Sequence, residues 1–109
     1  MEEKFYYDST SNVKLCGLLS RVNNTDKIVI LCHGLKGDKT ERGGFNYLVD
    51  VLKANDINSF RFDFRGHGES TGKDYKMTIS GEKEDLENTI EMLGKKGFKK
   101  IVVAATTEK

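Results

Sequence analysis

Ile28-Val29-Ile30-Leu31-Cys32 is an uninterrupted apolar run inside a chain that is 32% charged. A strand with one face in water alternates apolar and polar residues, so a continuous β-branched run calls for a strand covered on both faces. Such a strand belongs inside a sheet flanked by helices, and the sequence downstream supplies them. Phe45, Leu48, Val49 and Leu52 recur at i, i+3, i+4 and i+7, which predicts an amphipathic helix over residues 45–54 that ends near Asn55. Residues 59–64 alternate with period two and predict a strand. Thr78 can cap a second helix over residues 78–94, with Glu82, Glu84 and Asp85 in its early turns, where carboxylates complement the helix dipole. Leu86, Ile90 and Leu93 form its apolar stripe, and Gly94 or Gly97 ends it. Residues 101–105 begin another buried strand.

Upstream, residues 5–7 and 13–22 read as two strands joined by the turn residues Ser9-Thr10-Ser11-Asn12, hence an antiparallel hairpin. Asn23-Asn24-Thr25-Asp26 is the next turn. The order is hairpin, strand, helix, strand, helix, strand. It predicts an α/β fold: a mixed sheet with an antiparallel N-terminal hairpin and parallel strands alternating with helices.

Several function classes are excluded by charge and composition. Lys plus Arg number 18 and Asp plus Glu 17, so no strong field favours nucleic acid or an anionic membrane. Lys95, Lys96, Lys99 and Lys100 read as a solvated helix end and loop. No apolar run approaches the ~20 residues of a membrane span. The start, Met1-Glu2-Glu3-Lys4, lacks the apolar segment of a signal peptide. Cys16 and Cys32 each lie in an apolar run and read as two reduced, buried thiols of a cytoplasmic protein. Neither they nor the two histidines have a ligand spacing, so no metal and no cofactor is expected.

Two segments carry chemistry. Cys32-His33-Gly34-Leu35-Lys36-Gly37 opens a glycine-rich loop directly after the buried strand, where backbone N–H groups can be aimed at a developing negative charge. Taken alone, it reads first as a tight turn with a hydrogen-bonded histidine. The second is more specific: a strand runs into Asp63-Phe64-Arg65-Gly66-His67-Gly68-Glu69-Ser70, an Asp-x-Arg-Gly-x-Gly-x-Ser turn.

With these two segments in this order and at this separation, the chain resembles the N-terminal portion of the α/β-hydrolase superfamily, especially its serine esterases, acyl-glycerol lipases and cinnamoyl-esterase-like enzymes. The resemblance runs from the hairpin to the strand at Ile101. It implies that His33 and Gly34 open the oxyanion loop and that the backbone N–H of Leu35 is one oxyanion donor. It also implies that Asp63, Arg65, Gly66, Gly68 and Ser70 form a structural turn that braces loops near the site. Gly68-Glu69-Ser70-Thr71-Gly72 matches the Gly-x-Ser-x-Gly pattern, but a nucleophile elbow is a sharp strand-to-helix turn, and here the strand ends several residues earlier with no helical period following. Ser70 is therefore expected to be a decoy.

In the family the elbow follows the strand at Ile101, where this chain reads Ala104-Ala105-Thr106-Thr107-Glu108-Lys109. Thr107 falls near the nucleophile position but lacks the flanking glycines. The expectation is a single incomplete domain over residues 1–109 with no nucleophile, acid or catalytic histidine, inactive alone. The family reaction is hydrolysis of a carboxylic ester or related acyl bond in a small-molecule substrate, through an acyl-enzyme. The alternative is a non-catalytic binding or regulatory half-domain, with self-association or a completing partner chain.

Overall fold

The computed structural model describes residues 2–10, 12–34, 36–73 and 78–106. Among these described residues five strands form one sheet: β1 (Glu2–Asp8), β2 (Lys14–Ser20), β3 (Lys27–Cys32), β4 (Ser59–Phe62) and β5 (Lys100–Ala105). Their spatial order is β1-β2-β4-β3-β5. β1 and β2 form the expected antiparallel hairpin, β2 is antiparallel to β4, and β4, β3 and β5 run parallel. Helix α1 (Gly44–Ala54) connects β3 to β4, and α2 (Ile79–Lys95) connects β4 to β5.

Period-two alternation along β3 explains why both of its faces are apolar. Ile28, Ile30 and Cys32 enter one core with Phe60, Phe62, Phe64 and, from α2, Leu93. Leu31 and Val29 enter a second core with Phe45, Leu48, Val49 and Leu52 of α1. The two helices thus cover opposite faces of the sheet, and β3 is paired along both edges, with β4 and β5.

Element ends follow from local chemistry. The Thr78 hydroxyl accepts from Gly81 N–H at 2.9 Å and caps α2 as expected. Of the two candidate glycines, Gly97 takes the left-handed conformation after α2 (φ 101), while Gly94 lies inside the helix. Asn55 caps the end of α1. The hairpin strands differ from the sequence reading. β1 reaches back to Glu2 because an edge strand carries polar residues freely, and Glu2 accepts two bonds from the buried Arg61 guanidinium at 2.7 and 2.9 Å. β2 is shorter than the expected 13–22. β4 stops at Phe62 rather than at residue 64, because the Phe64 N–H turns to His33 Nε2 at 3.0 Å.

Asp85 corrects a further expectation. It lies in the early part of α2, yet it is fully buried, and its main partner is Arg65 rather than the helix dipole. Arg65 donates its backbone N–H to Asp85 Oδ2 at 2.8 Å and its Nη2 to Oδ1 at 2.8 Å, and Ser9 Oγ donates to Oδ1 at 2.7 Å. The pair fastens the segment after β4 to α2.

Two predictions follow from this packing. An ideal Cβ at Gly17 would lie 2.1 Å from Cζ of the fully buried Phe60 ring. Gly17→Ala should therefore lower the free energy of urea unfolding by about 1–3 kcal/mol, the usual cost of overpacking a core. An unchanged midpoint would show that the ring has room to move. Asp85→Ala removes the buried partner of Arg65 and should cost about 3–5 kcal/mol. Asp8→Ala, which breaks the exposed 2.6 Å pair of Asp8 with Lys14, should cost under about 1 kcal/mol in the same assay. Equal losses for the two variants would refute the anchoring role of Asp85.

Candidate active site

In a parallel sheet, ligands gather at the carboxyl ends of the strands. Here those ends belong to β3, β4 and β5, and they carry both segments singled out in the sequence. The loop after β3 opens with His33, which is 5% exposed. Its Nε2 accepts from Phe64 N–H, so the proton sits on Nδ1, which donates to the Gly34 carbonyl at 2.7 Å. Burial lowers the pKa of His33, against the raising effect of its bond to Gly34, and this favours the neutral ring that the two contacts require. The Gly34 carbonyl also accepts from Gly37 N–H at 3.0 Å, and Gly34 N–H donates to Glu41 Oε2 at 2.7 Å. Every backbone polar group of Gly34 is therefore held. Leu35 lies outside the described residues, as does Thr107.

The turn after β4 is built around Asp63, whose side chain has no exposed surface. The carboxylate accepts from Lys39 N–H at 2.7 Å, Lys39 Nζ at 2.5 Å and Glu69 N–H at 2.9 Å. Gly68 lies at φ 50, and a Cβ there would fall 2.3 Å from Asp63 Cγ, so only glycine lets the loop wrap the carboxylate. Gly66 is likewise left-handed, at φ 76. Ser70 is 2% exposed. Its Oγ donates to the Asp63 carbonyl at 2.6 Å and accepts from Cys16 N–H at 2.8 Å. No helix starts at Ser70: among the described residues the next one begins at Ile79. His67 stands beside His33, with ring centroids 5.0 Å apart, and its Nδ1 lies 2.9 Å from the Arg65 carbonyl oxygen.

Sequence reasoning passed over Lys39. It lies in the loop after β3, is 6% exposed and bridges Asp63 and Glu69, the latter at 2.8 Å. Burial works against its charge, but the bonds to both carboxylates outweigh it, and its pKa is raised. Glu69, bonded by Lys39 and Lys4, is pulled down to about 2. Cys16, Asp63 and Glu69 place possible ligand atoms within 4.8 Å of one another, but the Lys39 ammonium already bonds both carboxylates and supplies the cluster's counter-charge.

Beside His33 and Gly34 an open groove of about 510 Å³ runs between the ends of β3 and β5 and the start of α2, lined in part by Cys32, Phe64, Leu86, Val103 and Thr106. A groove of about 360 Å³ at the opposite end of the strands, near Lys27, Ile57 and Lys100, lies away from both segments. The arrangement at the carboxyl ends is a glycine loop with fixed peptide orientations facing an apolar groove. That is the kind of surface on which backbone donors can meet a carbonyl oxygen.

Comparison with known proteins bears on the fold and the family. A search of curated proteins gave no match. Among solved structures, the esterase Pf2001 of Pyrococcus furiosus superposes with a TM-score of 0.84 at 29% identity, covering 96% of this chain and 41% of that one. Est1E of Butyrivibrio proteoclasticus, solved with ferulic acid bound, superposes with a TM-score of 0.80 at 27% identity, covering 93% of this chain and 41% of the other. An α/β serine hydrolase homologue from Coxiella burnetii shares the fold, with a TM-score of 0.78 at 24% identity, 94% of this chain and 50% of that one. The chain thus spans about two fifths of the length of the two esterases, matching the N-terminal portion of their fold. The sequence matches the family described as serine aminopeptidase, S33, over residues 23–105. With its mixed sheet, its His-Gly loop after β3 and this match across most of its length, the chain belongs to the serine aminopeptidase S33 family of the α/β-hydrolase superfamily.

Proposed function

We propose that this chain is the N-terminal part of a serine hydrolase that cleaves carboxylic esters or related acyl bonds through an acyl-enzyme, and that the 109 residues alone do not carry out the reaction. The observation that supports this most is the loop at His33 and Gly34, whose peptide groups are fixed beside an apolar groove at the strands' carboxyl ends. Acyl transfer develops charge on the substrate carbonyl oxygen, and donors fixed before the reaction stabilise that charge without reorganising. In this reading the backbone N–H of Leu35 is one such donor, by family resemblance, and the small acyl substrate lies in the groove. Asp63, Arg65, Gly66, Gly68 and Ser70 hold the neighbouring loop. The nucleophile, its acid and its catalytic histidine belong to the family's later segments. Ser70 is a poor candidate on physical grounds. Its hydroxyl gives its proton to the Asp63 carbonyl, accepts from Cys16 N–H, and lies buried away from solvent.

β5 favours a second reading, a non-catalytic half-domain completed by another chain. Among the described residues β5 pairs only with β3, and Val102 and Val103 are 62% and 41% exposed. An open apolar edge strand offers unpaired backbone groups to any strand that can reach it.

Incubated alone with a fluorophosphonate probe, the chain should show no stoichiometric labelling and no turnover of an activated phenyl ester. Labelling that Ser70→Ala abolishes would overturn both the decoy assignment and the inactivity. Sedimentation equilibrium of the chain should give a mass that rises with concentration through association at β5. A monomer at every concentration, with a cooperative melt, would argue against the open edge as an association site.

A further inference from the structure

Glu41 has a set of contacts that the acyl-transfer reading does not use. It lies in the loop between β3 and α1 in left-handed backbone (φ 45), followed by Arg42 (φ 57) and Gly43 (φ 90). Two consecutive residues with a Cβ in that region are strained, and strain of this kind persists only where surrounding contacts over-determine it. The turn is closed by Gly43 N–H to the Thr40 carbonyl at 2.9 Å and Gly44 N–H to the Glu41 carbonyl at 3.0 Å. What the turn delivers is the Glu41 carboxylate. Its Oε2 accepts from Gly34 N–H at 2.7 Å and from the Thr106 hydroxyl. Gly37 leaves room for it, since a Cβ there would lie 2.5 Å from Glu41 Oε1. One carboxylate oxygen therefore joins the residue after His33 to the first residue beyond β5.

We propose that Glu41 is a positioning residue that locks the oxyanion loop to the carboxyl end of β5. Its catalytic meaning rests on the acyl-transfer reading; the lock itself does not. Two consequences follow for that site. The Gly34 N–H is spent on Glu41 and is removed from the set of amides that could meet a substrate oxygen. The Gly34 carbonyl is held from the other side by His33 Nδ1–H and Gly37 N–H, at 2.7 and 3.0 Å. Glu41 thus helps hold Gly34 in the conformation the loop takes beside the groove.

The test is amide hydrogen exchange and proton chemical shift at Gly34 in the ¹⁵N-labelled full chain. Glu41→Ala should speed Gly34 exchange by about tenfold or more, the expected effect of losing a bond to a charged acceptor, while the Ile30 and Phe60 amides keep their protection. Glu41→Gln retains an acceptor oxygen without the charge. It should restore part of the protection and move the Gly34 amide proton upfield of its position in the parent. Gly37→Ala should give the same local loss by displacing the carboxylate, and it keeps the test alive should Glu41→Ala fail to fold. Unchanged Gly34 protection in Glu41→Ala or in Gly37→Ala would overturn the proposal, as would a loss spread evenly over the β3 and β4 amides. Failure of the hydrolase reading would register separately, in probe labelling.

Discussion

The buried Asp63 carboxylate ties the carboxyl-end rim of the sheet together. A carboxylate without exposed surface is costly unless donors replace the water it gives up. Asp63 has three, two from Lys39 and one from Glu69, and its backbone carbonyl takes a fourth bond from Ser70 Oγ. Those donors come from the loop after β3 and the loop after β4. One side chain thus fixes the spacing between the two segments that stood out in the sequence. Arg65 and Asp85 extend the same arrangement to α2, and His33 closes it from the other side through the Phe64 N–H.

The sheet beneath this rim is asymmetric. On the hairpin side the edge strand β1 carries polar residues and is engaged by Arg61 through Glu2. On the other side β5 leaves Val102 and Val103 exposed, with a groove on each face of the strand. One physical fact therefore underlies two features. The open flank of β5 exposes the groove at His33, and it also presents a strand edge that no other described residue pairs with. Whatever covers β5 alters the shape of the candidate site.

The fold was largely legible in the sequence because periodicity encodes burial directly. The apolar run of β3, the stripe of α1, the Thr78 cap and the alternation of Phe60, Phe62 and Phe64 each follow from local spacing. Edge strands carry no such signal, so the extent of β1 could not be read from Glu2, Glu3 and Lys4. Between Gly94 and Gly97, spacing offered no choice; backbone conformation made it, with Gly97 left-handed. At the site, the His-Gly loop and the Asp-x-Arg-Gly-x-Gly-x-Ser turn stood out as motifs. Lys39, Glu41 and Asp85 did not, because a charged residue in a loop or helix reads as solvated until its partners are known.

The sequence by itself thus determined the order of strands and helices, the two-sided burial of β3, and the resemblance that points to acyl chemistry. These depend on neighbours within a few residues along the chain, where spacing is enough. Only tertiary structure decided that Lys39 neutralises Asp63, 24 residues away, that Asp85 pairs with Arg65, 20 residues away, and that Glu41 reaches Thr106, 65 residues away. The physical reason is that a charge is stable in a protein interior only beside a specific partner, and the chain brings that partner near only once the sheet has formed.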